Sequence, residues 1–114
     1  MLHLTEGNFQ AEVNQAKFPV VVMFYASWCP KCAMTKPVAE DIEKRYRKKV
    51  KFCEVEIEEC PNLAVKYGAD IVPTLVMFKN GTVKARMQGT VWRKYIGKES
   101  QGAALGRLLR FFFI

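Results

Sequence analysis

Histidine is all but missing from this chain: His3 is the only one in 114 residues. A zinc site could not draw on a set of imidazoles. No apolar run is long enough to span a bilayer, which argues against a membrane helix. Met1 to Glu6 lacks a basic stretch followed by a long apolar one. No signal peptide is expected, although a processed chain would read the same way. Repeats, low-complexity tracts and linker-like segments are also lacking. One domain over residues 1–114 is the expectation. Nothing in the sequence matches a nucleic-acid recognition motif, so nucleic acid is not an expected partner.

Half of the residues are hydrophobic and a quarter are charged, enough for a packed core. The formal net charge is +7. Much of the excess lies in Lys44-Arg45-Tyr46-Arg47-Lys48-Lys49. One reading is a solvated helix end, where cations suit the dipole. The other is attraction to acidic partners.

The hydrophobic pattern gives a series of elements. Thr5 is a candidate N-cap for a helix carrying Phe9, Val13 and Ala16. Phe18 to Ala26 (FPVVVMFYA) reads as a strand buried on both faces. Met34, Val38 and Ile42 stand four apart and mark a helix running from Cys29 to near Lys48, interrupted by Pro37. Val50 to Ile57 alternates, with Cys53, Val55 and Ile57 on one face. Asn62 to Tyr67 is a short helix stopped by Gly68, and Thr74 to Phe78 is a strand. Asn80-Gly81 signals a hairpin into an edge strand with Val83, Ala85 and Met87 on one side. Ala104, Leu105, Leu108, Leu109 and Phe112 form the apolar face of a last helix. The order β-α-β-α-β-α-β-β-α predicts an α/β fold, a central mixed sheet flanked by helices on both faces.

The chemistry concentrates in Trp28-Cys29-Pro30-Lys31-Cys32, at the passage from strand to helix. Two intervening residues let two sulfurs meet across one turn. Cys29 falls at the helix start, where free N–H groups and the dipole favour a thiolate, the attacking species. Pro30 suits the first turn because it lacks an N–H. Lys31 adds a positive charge close to Cys29. Cys32, one turn in, is expected to be more buried and to resolve a mixed disulfide. The alternatives are a zinc site and an inert pair. A four-cysteine site wants a second close pair, whereas Cys53 and Cys60 are seven apart. Cys53 reads as a small buried hydrophobe. Cys60, beside Pro61, is either an exposed reactive thiol or a bystander.

These residues resemble the thioredoxin family. Leu2-His3-Leu4-Thr5, Phe24-Tyr25-Ala26-Ser27-Trp28-Cys29, Lys66-Tyr67-Gly68, Pro73-Thr74 and Phe78-Lys79-Asn80-Gly81 match it in order and spacing, from about Leu2 to Thr90. The resemblance implies the thioredoxin fold and protein disulfide reduction without a bound cofactor. It implies that Pro73 follows a cis bond, faces the cysteines and keeps metal off them. Val72-Pro73 would pair with an extended substrate strand. Tyr25, Trp28, Val72, Pro73 and Gly89 would line an apolar groove. A simple turn at Pro73, and core packing of Tyr25 and Trp28, are the plainer alternatives. A flavin-dependent thioredoxin reductase is the implied electron donor, and the cytoplasm the expected compartment.

Four features depart from the family. Pro30-Lys31 replaces the usual Gly-Pro between the cysteines. If this dipeptide sets the poise, the potential should be about −200 to −250 mV, against ≈ −270 mV for thioredoxin. That leaves room for an oxidant or isomerase, and a redox-silent binding module is a further alternative. Met23 replaces a buried Asp thought to assist proton transfer to the resolving cysteine. Glu54 replaces the Lys partner of that Asp, and either takes over the proton relay or turns to solvent. Extra residues, Trp92 to Gln101, precede a C-terminus ending Phe111-Phe112-Phe113-Ile114. Those rings cannot all share one helical face, so they suggest a dimer contact, a membrane-surface contact or a frayed end of a monomer.

Overall fold

A computed structural model describes residues 1–89. Five strands form one sheet: β1 (Leu2–His3), β2 (Val20–Tyr25), β3 (Lys51–Glu56), β4 (Thr74–Lys79) and β5 (Thr82–Gln88). Their spatial order is β1-β3-β2-β4-β5. The first three run parallel, while β4 and β5 run antiparallel to their neighbours. A π-helical turn, Gln10–Asn14, precedes β2. Helix α1 (Pro30–Tyr46) joins β2 to β3, and α2 (Pro61–Lys66) joins β3 to β4. The expected last helix, Trp92 to Gln101 and the Phe111–Ile114 end lie outside the described residues.

Strand β2 is central because its apolar run tolerates burial on both faces. Val21 and Met23 pack toward α1, with Ala39, Ile42 and Phe52. Val20, Val22 and Phe24 pack on the opposite face, with Phe9, Val13, Val55 and Phe78. Leu63, Ala64 and Tyr67, in and just after α2, close that second layer. The predicted three-layer arrangement is thus present among the described residues. Burying a side chain as large as Phe24 or Phe78 contributes about 1.5–3 kcal/mol.

Local chemistry explains the boundaries. Thr5 and Asn8 cap each other: the Asn8 amide donates to Thr5 Oγ1 (3.3 Å), and the Thr5 amide to Asn8 Oδ1 (2.7 Å). Asn80 and Gly81 turn the β4–β5 hairpin with φ of 53° and 76°.

Three expectations are corrected. Phe18 lies before β2 and is 62% exposed, because the strand starts only after Pro19. The buried face of α1 is Cys32, Thr35, Ala39 and Ile42, and Met34 is exposed. Residues 32, 35, 39 and 42 follow the same helical spacing, rotated from the stripe that apolar identity alone suggested. Cys60 is buried under Leu4, so the exposed-thiol reading fails. Cys53 is buried as expected.

Candidate active site

Strand β2 delivers the chain to Tyr25, and a tight turn follows in which the Cys29 amide donates to the Ala26 carbonyl (3.2 Å). Cys29 then caps α1 in an extended conformation. Its sulfur accepts a hydrogen bond from the Cys32 amide at 3.1 Å. That bond meets one of the otherwise unpaired N–H groups of the first helical turn. Pro30 occupies the position where an N–H would have had no partner. Lys31 is exposed beside it.

All four cysteines are free thiols, and Cys29 and Cys32 are both buried. The expected contrast in their burial is small. The Cys32 thiol is pushed up to about 12, chiefly by burial and next by the neighbouring Cys29. A thiol raised in this way keeps its proton at neutral pH.

The second half of the site comes from the segment before β4. The Val72–Pro73 bond is cis. The Cys29 thiol lies 3.9 Å from the Val72 carbonyl, to which it donates. Two residues 43 apart in sequence thus meet because β2 and β4 are paired neighbours. Pro73 is buried, and Val72 and Gly89 are half-buried. Gly89 needs glycine for its φ of +63°, and it lies beside Ile71. Trp28 is 64% exposed, so the alternative of core packing does not hold for it. Ile71, also exposed, adds apolar surface next to Val72 that the sequence reading missed.

Tyr25 and Glu54 belong to a charged cluster at the C-terminal ends of the parallel strands. The Glu54 carboxylate accepts from His3 Nδ1 (2.9 Å) and from the Tyr25 hydroxyl (3.2 Å), and pairs with Lys36 Nζ (3.4 Å). His3 Nε2 meets the Glu59 carboxylate at 2.8 Å. Burial alone would push the Glu54 carboxyl up. The His3 hydrogen bond, the Lys36 charge and the Tyr25 hydroxyl override it and hold the group below its ordinary range. Burial, together with Glu54, pushes the Tyr25 phenol up to about 12. His3 is raised, first by its hydrogen bond to Glu54 and then by Glu59.

Glu54 is buried, so the reading of a solvated carboxylate is corrected. Met23, its register partner on β2, is buried and apolar beside it. The sequence reading missed His3 and Lys36 as partners. The signal was an acid, Glu54, beside Cys53 and Val55 in a strand otherwise patterned for burial.

Among the described residues no group of three or more His, Cys, Asp or Glu side chains could hold a metal ion. No described helix is long and apolar enough to cross a membrane.

The thioredoxin family model matches residues 1–100 of the chain. Thioredoxin C-2 of Corynebacterium nephridii is 41% identical over 93 residues, covering 82% of this chain and 86% of that protein. A thioredoxin of Pseudomonas aeruginosa is 35% identical over 91 residues, covering 80% and 84%. The chloroplastic thioredoxin M5 of Oryza sativa subsp. japonica is 41% identical over 86 residues, covering 75% of this chain and half of that protein. With a cysteine pair opening a helix, a cis proline opposite and a family match along most of its length, the chain belongs to the thioredoxin family.

Proposed function

We propose that this thiol–disulfide oxidoreductase reduces protein disulfides through Cys29 and Cys32. The observation that carries the reading is Cys29 Sγ, held between the Cys32 amide and the Val72 carbonyl. A protein strand pairs with the backbone at Val72-Pro73, and Trp28, Tyr25 and Gly89 flank it. The Cys29 thiolate attacks one sulfur of the substrate disulfide. The S–S bond breaks, and the departing sulfur leaves as a thiolate and takes a proton. Cys32 then gives up its proton and attacks Cys29 Sγ. A Cys29–Cys32 disulfide forms and the second substrate thiol is released. Two electrons have passed to the substrate.

Pro30 and Lys31 set the poise of the pair. A flavin-dependent thioredoxin reductase returns the two electrons, and the setting is the cytoplasm. Glu54 serves this site by fixing Tyr25 and α1. A carboxylate held ionised by three partners is a poor relay for the Cys32 proton.

Reduction of insulin disulfides by dithiothreitol tests the reading. Catalysis should vanish in Cys29→Ser, and Cys32→Ser should accumulate the mixed disulfide. Equal rates for wild type and Cys29→Ser would leave only a binding module. A measured potential well above about −200 mV would reverse the direction to oxidation.

A further inference from the structure

The run Lys44 to Lys49 plays no part in the chemistry above, yet it ends in a formed recess. A cleft of about 430 Å³ opens where α1 meets β3. Buried Val50 and Phe52 line it, and exposed Leu2 and Phe18 stand at its edge. Two of its charges are answered within the fold. Glu43 pairs with the N-terminal amine at 3.0 Å, and Lys51 pairs with Glu12. Arg47, Lys48 and Lys49 also line the cleft, and none of them forms an ion pair among the described residues, although Glu40 and Glu43 lie near Arg47.

We propose that this cleft docks an acidic peptide segment, carrying one apolar anchor residue, from a partner protein. Three unanswered cations call for carboxylates. The apolar lining and the exposed Phe18 call for a hydrophobic side chain beside them. The recess suits a single inserted side chain better than a flat lipid surface or a duplex. The end of α1 also turns carbonyls outward, which suit the N–H groups of a peptide and repel phosphate.

The cleft lies at the far end of α1 from Cys29. Seventeen helical residues span about 25 Å. A partner held here leaves the redox groove open. Engaging both ends of the helix would raise the local concentration of the partner's disulfide.

Binding can be read without any disulfide, so its failure leaves the thiol chemistry standing. The probe is a fluorescein-labelled peptide, Glu-Asp-Glu-Phe-Asp-Glu, titrated with the whole chain and followed by anisotropy. Each exposed ion pair is worth a factor of about two, so Arg47→Gln/Lys48→Gln/Lys49→Gln should bind roughly tenfold more weakly. Phe18→Ser, or a peptide with Ser for Phe, should also weaken it. Raising salt from about 50 to about 300 mM should do the same to the wild type, which needs no variant. Insulin reduction by the triple variant should match the wild type. The proposal is overturned if the triple variant binds the peptide like the wild type. Tighter binding of phosphatidylserine vesicles or a short DNA duplex than of the peptide would also overturn it, as would loss of peptide binding in Trp28→Ala.

Discussion

Replacing Glu54 by Gln separates holding from proton transfer. The carboxylate accepts from Tyr25 and His3 and pairs with Lys36. A hydrogen bond to a charged group is worth about 1.5–3 kcal/mol, and Gln retains one acceptor oxygen, so about half of the Tyr25 contribution survives. The His3 and Lys36 side chains are 42% and 41% exposed, so each of their pairs adds only about 0.2–1 kcal/mol. The expected loss is about 2 kcal/mol of unfolding free energy, measured by urea denaturation. Its pH dependence follows from the two shifts. The Glu54 carboxyl is lowered, so its contribution is present above the ordinary 4.5 and fades as pH falls below it. His3 is raised, so its contribution is complete below 6.5 and fades as pH rises through the folded value. The gap between wild type and Glu54→Gln should therefore be widest between about pH 5 and 6. Resolution should not slow: release of thionitrobenzoate from its mixed disulfide with Cys29 should keep the wild-type rate. A variant as stable as wild type at every pH would refute the ledger. A resolution rate lowered tenfold or more, with little lost stability, would restore the relay.

Three further outcomes are expected. With the Cys32 thiol at about 12, iodoacetamide should alkylate it at a rate rising tenfold per pH unit from about pH 7 to 10; a plateau in that range would count against its burial as the cause. The Thr35 hydroxyl is fully buried and has no hydrogen-bond partner among the described residues, so Thr35→Val should leave stability unchanged or raise it by about 1 kcal/mol in urea titration; a clear loss would reveal a partner. Gly81→Ala should cost about 1–2 kcal/mol in thermal unfolding, because φ is +76° and the new Cβ would sit 2.6 Å from the Asn14 carbonyl oxygen; an unchanged midpoint would show that the hairpin can shift.

The sheet was legible because apolar runs and turn residues repeat one message. Val20 to Tyr25 admits burial on both faces, and Asn80-Gly81 admits little but a tight hairpin. The cysteine pair was legible because its spacing and the proline after Cys29 place it at a helix start. The groove positions 72, 73 and 89 came from family likeness, since no local pattern links residues so distant in sequence. The His3–Glu54–Lys36 cluster was illegible for the same reason. Its members lie on β1, β3 and α1 and meet only through strand order. The buried stripe of α1 was misjudged because Thr35 and Cys32 are less apolar than Met34, yet the helix turns them inward. Once buried, they must accept whatever polar contacts the interior offers.

The meeting of Cys29 with Val72 lies at the ends of two strands that pair in the middle of the sheet. Central strands open only with the whole domain, whereas edges and termini fray at little cost. No partially folded chain can therefore keep one half of the catalytic cleft in working order. Enzymatic turnover and the protection of β2 amides from exchange should disappear at the same denaturant concentration, so activity itself reports the cooperative unit.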